Sequence, residues 1–139
     1  MTIVRPIIIA THSPNVLSSA GVRSPGCAVR LKVNGQHPTP PVVTTTGPMV
    51  LTLDISASSF TAPVSWFWGL VVNNQVLWVT PAGLSTTPAP LAVAPPVAIS
   101  NATLLNVMLP PGAQVTTFFA LVDGTGSVVA IDAIEAVRP

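Results

Sequence analysis

Sixteen prolines are spread along the 139 residues, and their placement restricts the fold more than any other feature. Proline fixes φ, lacks a backbone N–H and costs roughly 3 kcal/mol inside a helix. The longest proline-free stretch, Gly112 to Arg138, is itself broken by Asp123-Gly-Thr-Gly126. A helix bundle is therefore excluded. Between the prolines lie short runs rich in Val, Ile, Leu, Thr and Trp, separated by turn residues about every ten positions, the pattern of a β-sandwich or barrel.

Individual runs show which faces are apolar. Val29-Arg-Leu-Lys-Val33 alternates strictly, sets Arg30 and Lys32 on one face, and ends at Asn34-Gly35, a pair suited to a type I′ turn. From Met49 to Ala57, Met49, Leu51, Leu53 and Ile55 face one way, and Val50, Thr52, Asp54 and Ser56 the other. This predicts a half-buried strand with a polar outer face. Trp66-Phe-Trp-Gly-Leu-Val-Val72, Asn73-Asn74 and Gln75-Val-Leu-Trp-Val79 read as a hairpin, because Asn tolerates positive φ in a two-residue loop. That register sets Val72 opposite Gln75 and Gly69 opposite Trp78, so the indole is expected to cover the gap at the glycine. Trp66, Trp68, Leu70, Leu77 and Val79 then share one face, and Phe67, Val71, Val76 and Trp78 the other. Both are apolar, and the second needs its own cover.

Near the C-terminus, Val115 to Val122 and Ser127 to Val137 flank a loop at Asp123-Gly-Thr-Gly126, although Ala130 to Ala136 fits a short helix equally well. Leu104 to Leu109 reads as a strand ending at Pro110-Pro111-Gly112. The Pro-rich stretches Gln36–Pro48 and Thr80–Pro96 are expected to run extended along sheet edges, where proline discourages stray pairing. About eight to ten strands result. The expectation is an all-β chain: a single-domain antiparallel β-sandwich over 21–139, jelly-roll-like or alternatively Ig-like, preceded at 1–20 by an extended N-terminal arm or first strand.

Only 6% of the residues are charged, with five Lys+Arg against four Asp+Glu; an ordinary soluble domain carries about 25%. An apolar fraction of 49% argues against intrinsic disorder. A net charge of +1 cannot neutralise a row of phosphates, which argues against nucleic acid as partner. The most apolar stretch, Val64 to Thr80, carries Asn73-Asn74-Gln75 at its centre and does not read as a membrane span. Ile7-Ile8-Ile9 is shorter than the h-region of a signal peptide, and Cys27 is the single cysteine. Synthesis in the cytoplasm without export is the expectation. A monomer of this mass exposes roughly 6,800 Å², or about one charge per 750 Å². So neutral a surface favours self-association and permanent cover by copies or by a larger partner.

The inventory of reactive groups is thin. Cys27 and His37 lack a third member and a local motif for nucleophilic catalysis, so a buried thiol and a loop histidine are expected. Cys27, His12 and His37 do not have metal-ligand spacing. Asp123 beside Gly124 reads as a turn former, while Asp54 and Asp132 are expected to pair with arginine or face water. There is no phosphate-binding loop, and Asn101-Ala-Thr103 matches a glycosylation sequon that matters only on secretion. Trp66, Trp68 and Trp78 beside Asn73, Asn74 and Gln75 suggest a sugar platform, but packing in a core or interface is the stronger reading. No cofactor, metal or catalytic residue is expected.

With its Met1 start, apolar Ile7–Ile9 arm and two-faced Trp66–Val79 hairpin, the chain resembles the cementing or decoration proteins of tailed-bacteriophage capsids. The resemblance implies a non-enzymatic virion protein, a dimer or trimer seated on the outside of a shell of major capsid protein, clamping adjacent capsomers. Ile3, Ile7, Ile8, Ile9, Trp66, Trp68 and Trp78 are its candidate interface residues. The alternative is a carbohydrate-binding or adhesive β-sandwich module of a fibre or surface protein.

Overall fold

A computed structural model describes residues 27–57 and 61–139, over which ten strands form two sheets. The smaller sheet has the order β1 (Ala28–Val33), β3 (Pro48–Ser56), β8 (Ile99–Met108). The larger has seven strands. Its path runs β2 (Val42–Thr44), β10 (Val128–Val137), β9 (Gln114–Val122), β4 (Val64–Val72), β5 (Gln75–Thr80), β6 (Gly83–Ser85), and β7 (Ala92–Ala94) pairs with β4 off that path. The two sheets pack as a single-domain β-sandwich, with no helix among the described residues. Every ladder is antiparallel except β10–β2, which is parallel.

Alternation decides which side chains meet. In β1 and β3, Val29, Leu31, Val33, Met49, Leu51, Leu53 and Ile55 turn inward and are buried. Arg30, Lys32, Thr52 and Asp54 point outward, and Lys32 Nζ lies 3.2 Å from Asp54 Oδ2. The Asn34-Gly35 turn has φ of 51° and 76°, the left-handed values that a type I′ turn needs. β10 settles the ambiguous segment. Val128 to Val137 pair with β9 through to Gln114, with a bulge between Val128 and Ala130, so Ala130–Ala136 is strand and not helix. Period-2 burial of Ala130, Asp132, Ile134 and Ala136 against β1 and β3 outweighs the helical propensity of the alanines. The Pro-rich connections supply three-residue edge strands, β2 in the first and β6 and β7 in the second, as proline limits how far a ladder can run.

The Asn73-Asn74 hairpin forms in the expected register, Val72 opposite Gln75 and Gly69 opposite Trp78, with φ of 52° and 62° at the two asparagines. Its two faces enter two separate cores. Trp68 joins Leu31, Leu51, Phe119, Leu121 and Ile134 between the sheets. Phe67 and Trp78 join Phe118, Ala120, Val122 and Ala133 in a second buried cluster, all of whose members come from β4, β5, β9 and β10. The cover over Gly69 differs from the expectation. The ring nearest its missing Cβ is Phe118 on the opposite neighbour β9, whose Cζ would lie 2.2 Å from such an atom. Trp78 packs edge-to-face on that phenyl ring instead, with centroids 5.5 Å apart.

Candidate functional site

Four of the expected interface residues, Ile3, Ile7, Ile8 and Ile9, lie outside the described residues, as do His12 and the proposed arm at 1–20. The three tryptophans are placed, and they do not share a surface. Trp78 and Trp68 are 2% and 7% exposed, so neither presents a ring to a partner or a sugar. The Trp68 Nε1–H donates to Thr117 Oγ1 at 2.9 Å, and that hydroxyl donates to the Gly69 carbonyl at 3.1 Å, so the buried polar atoms are satisfied. Trp66 is half-buried. Its Nε1–H donates to the Ala94 carbonyl at 3.0 Å, which ties β7 to β4, and its ring meets Phe119 edge-on.

The titratable groups are engaged locally. Asp132 is 6% exposed and faces the smaller sheet, where Oδ2 accepts the Leu31 N–H at 2.8 Å. His37 Nδ1 donates to the Leu31 carbonyl at 2.8 Å and lies 3.6 Å from the same Asp132 oxygen. The pair therefore substitutes for a ladder partner along the outer edge of β1, joining it to β10. The expected arginine partner is replaced by a backbone amide and a histidine, and at Asp54 by Lys32 and the Asn101 N–H, 2.8 Å from Oδ1. One sequence signal marked Asp132: it occupies the inward frame of Ala130, Ile134 and Ala136, where a carboxylate needs a buried partner. Asp123 forms its loop as expected, accepting from the Thr125 hydroxyl and from the Thr125 and Ser127 amides, contacts that hold its carboxyl below the usual carboxylate range. Cys27 is buried, and burial pushes its thiol pKa up, the reverse of an activated nucleophile. Among the described residues, no three His, Cys, Asp or Glu side chains gather as metal ligands.

Two surface features remain. A cleft of about 700 Å³ opens between the Asn73-Asn74 turn and the segment 109–116, walled by Val71, Pro110, Pro111 and Val115, with Asn73, Asn74, Gln114 and Thr116 as its polar groups. The second is the margin of the sandwich at β8. Val107 and Met108 are 39% and 68% exposed there, and Trp66, Leu70, Val79, Leu104 and Leu105 are only partly buried against the main core. β8 pairs with β3 on one side and stands at the end of its sheet.

No family model matches the chain, and no curated protein matches its sequence. Among solved structures it is similar to the Pseudomonas fluorescens alkylpurine DNA glycosylase AlkC bound to DNA containing an abasic site analog, with 13% identity and a TM-score of 0.29. The match covers 96% of this chain and 36% of that one. So slight a likeness carries no argument about fold or function.

Proposed function

We propose that the chain is a non-enzymatic structural protein of a viral particle, which associates with copies of itself and decorates the outside of a larger protein shell. The setting is the one its resemblance implies, a dimer or trimer bound to the major capsid protein of a tailed bacteriophage. The observation that carries the reading is where the few charges sit. Lys32 pairs with Asp54, Asp123 forms a loop, Asp132 is buried, Glu135 accepts from Gln114, and the Arg138 guanidinium caps the Leu109 carbonyl. The strands β6, β7 and β8 themselves carry no charged residue, and Leu84, Val93, Val97 and Met108 are exposed on or beside them. Neutral, partly apolar margins suit permanent contact with protein, where a few interfaces of about 1,000 Å² or more, repeated over many copies, hold a shell together. Sedimentation velocity across a roughly hundredfold range of concentration tests the first half of the reading. A discrete dimer, trimer or larger particle supports it, and a monomer throughout refutes it. Quantitative mass spectrometry of purified particles from cells that encode the chain tests the second. Many copies per particle are expected, and absence from the particle overturns the placement.

The cleft beside Asn73, Asn74 and Gln114 favours one second reading, a carbohydrate-binding module, with amides and not stacked indoles as its recognition groups. A glycan screen of the parent beside Gln114→Ala decides it: glycan binding that the substitution abolishes without unfolding would displace the structural reading.

A further inference from the structure

We propose that β8 is a self-pairing edge, which accepts the β8 strand of a second copy in antiparallel register and joins two three-stranded sheets into one of six strands across a two-fold axis. This rests on the self-association proposed above and names the surface that performs it. Four observations lead to it.

First, β8 is long and, among the described residues, carries no strand on its outer side. It has ten residues, while the other uncovered margins among the described residues, β2, β6 and β7, have three each. The opposite edge of its sheet, β1, is closed by the Leu31–Asp132 hydrogen bond. Natural proteins guard long edges with lysine, proline, bulges or brevity. The run Ile99-Ser-Asn-Ala-Thr-Leu-Leu-Asn-Val-Met108 has no charged residue and no proline.

Second, its irregularities are confined to its first six residues, up to Leu104. Asn101 has φ of 53°, and the Asp54 carboxylate takes its N–H, while the pairing with β3 shifts between Leu53 and Ile55 and again between Leu51 and Thr52. From Leu105 to Met108 the ladder with Pro48–Leu51 is regular, so the far half of the strand presents an even row of outward N–H and C=O groups.

Third, self-pairing about a two-fold axis sets each side chain near its own copy, and like charges directly opposite one another are destabilising. A strand composed of Asn, Thr, Leu, Val and Met meets no such penalty, whereas the outer face of β1, with Arg30 and Lys32, would.

Fourth, among the described residues the smaller sheet is narrower than the larger one it packs against. The smaller sheet is three strands wide and the path of the larger is six, so at about 4.8 Å per strand it spans only about half of it. Since β1 closes on β10, the part of the larger sheet left over by the described strands lies towards β4, β5 and β6, and Trp66, Leu70 and Val79 of β4 and β5 are only partly buried. A strand added beside β8 extends the cover over them. Backbone pairing gives such a contact its affinity, and the apolar side chains beneath add burial.

Sedimentation velocity of the full chain, with Thr103→Lys/Asn106→Lys beside the parent, is the test. Both positions are exposed on the outer face of β8, opposite Thr52 and Val50, so the fold has no need of them. Leu84→Lys on β6, equally exposed, is the control. The parent is expected to self-associate, the β8 variant to do so at least about tenfold more weakly, and the β6 variant to match the parent. Hydrogen exchange of the unmodified protein gives a second readout independent of any substitution: β8 amides are expected to gain protection as concentration rises. Association that persists in the β8 variant, or β8 exchange that ignores concentration while the parent associates, overturns this assignment alone. A parent that stays monomeric over the whole range overturns the self-association reading together with it.

Discussion

Replacing Gly69 by alanine is expected to destabilise the chain far more than one added methyl ordinarily does. A Cβ at this position would lie 2.2, 2.5 and 2.8 Å from three atoms of the Phe118 ring, distances that real contacts do not reach. The ring cannot swing aside freely. Phe118 is fully buried, Trp78 abuts it edge-on at 5.5 Å, and Phe67 abuts Trp78 in turn at 5.7 Å. Behind the glycine, its carbonyl is held by the Thr117 hydroxyl, so the β4 backbone is not free to retreat either. Overpacking a well-filled core costs about 1–3 kcal/mol, and a clash against a ring wedged on two sides belongs at the upper end. A loss of about 3 kcal/mol corresponds, at roughly 4 °C per kcal/mol for a domain of this size, to a fall in Tm of about 12 °C. Urea unfolding followed by tryptophan fluorescence measures it. The cause is isolated by pairing the change with Phe118→Leu, which removes the clashing ring. The two together should cost at least about 1 kcal/mol less than the sum of the separate losses, since the residues touch. If Gly69→Ala lies within about 0.5 kcal/mol of the parent, or if the double variant is strictly additive, the close approach is refuted.

Asn74→Val requires a β-branched residue at φ of 62°, and a loss of about 1–2 kcal/mol in urea unfolding is expected, with Asn74→Gly near neutral. Asp132→Leu leaves the buried Leu31 N–H without its acceptor and should cost about 2–3 kcal/mol by the same measurement; a neutral result would show that the carboxylate is dispensable to the β1 edge. The Asp123 carboxyl should titrate below the usual carboxylate range by NMR, and Thr125→Ala should move it up towards that range. Its pKa is lowered on folding, so its contribution is fully present above the unfolded value and fades as the pH falls through the folded one. Cys27 should react slowly with a thiol reagent at neutral pH in the folded protein and rapidly in denaturant; fast labelling of the native chain would contradict its burial.

Period-2 patterning made the strand faces legible, because each alternating run has only one face that can be buried. Met49, Leu51, Leu53 and Ile55 were readable as core, and so was the division of the Trp66–Val79 hairpin into two apolar faces. Asn73-Asn74 fixed the hairpin register, as few other residues tolerate the required φ. Contacts between strands distant in sequence were not legible. Nothing local to Gly69 indicates that Phe118, 49 positions later, lies closer than the cross-strand Trp78, since that depends on β9 taking the other side of β4. The same limit applies to Asp132 and Leu31, which meet only because β1 folds over β10. Whether each tryptophan belongs to a core or to an interface was not legible for a related reason. Their period assigns them to faces, but exposure depends on what covers each face, and here Trp68 and Trp78 are both enclosed.

That enclosure bears on how the chain can meet a partner. A sheet that buries one face keeps the other for binding, as many sandwiches do. Here β4, β5, β9 and β10 direct Trp68, Phe119 and Leu121 into one core and Phe67, Trp78 and Phe118 into another, so the centre of the larger sheet has no free face to offer. The smaller sheet presents Arg30 and the Lys32–Asp54 pair on its outer side, the most charged stretch of the described surface. Association through that face would have to desolvate the ion pair, a cost that its Coulomb attraction need not repay. What remains neutral and accessible is the margins, and among these β8 alone is long enough to build a ladder. Folding thus consumes the faces and leaves an edge. The self-pairing proposed for β8 would account for an edge of this length with no charged residue along it.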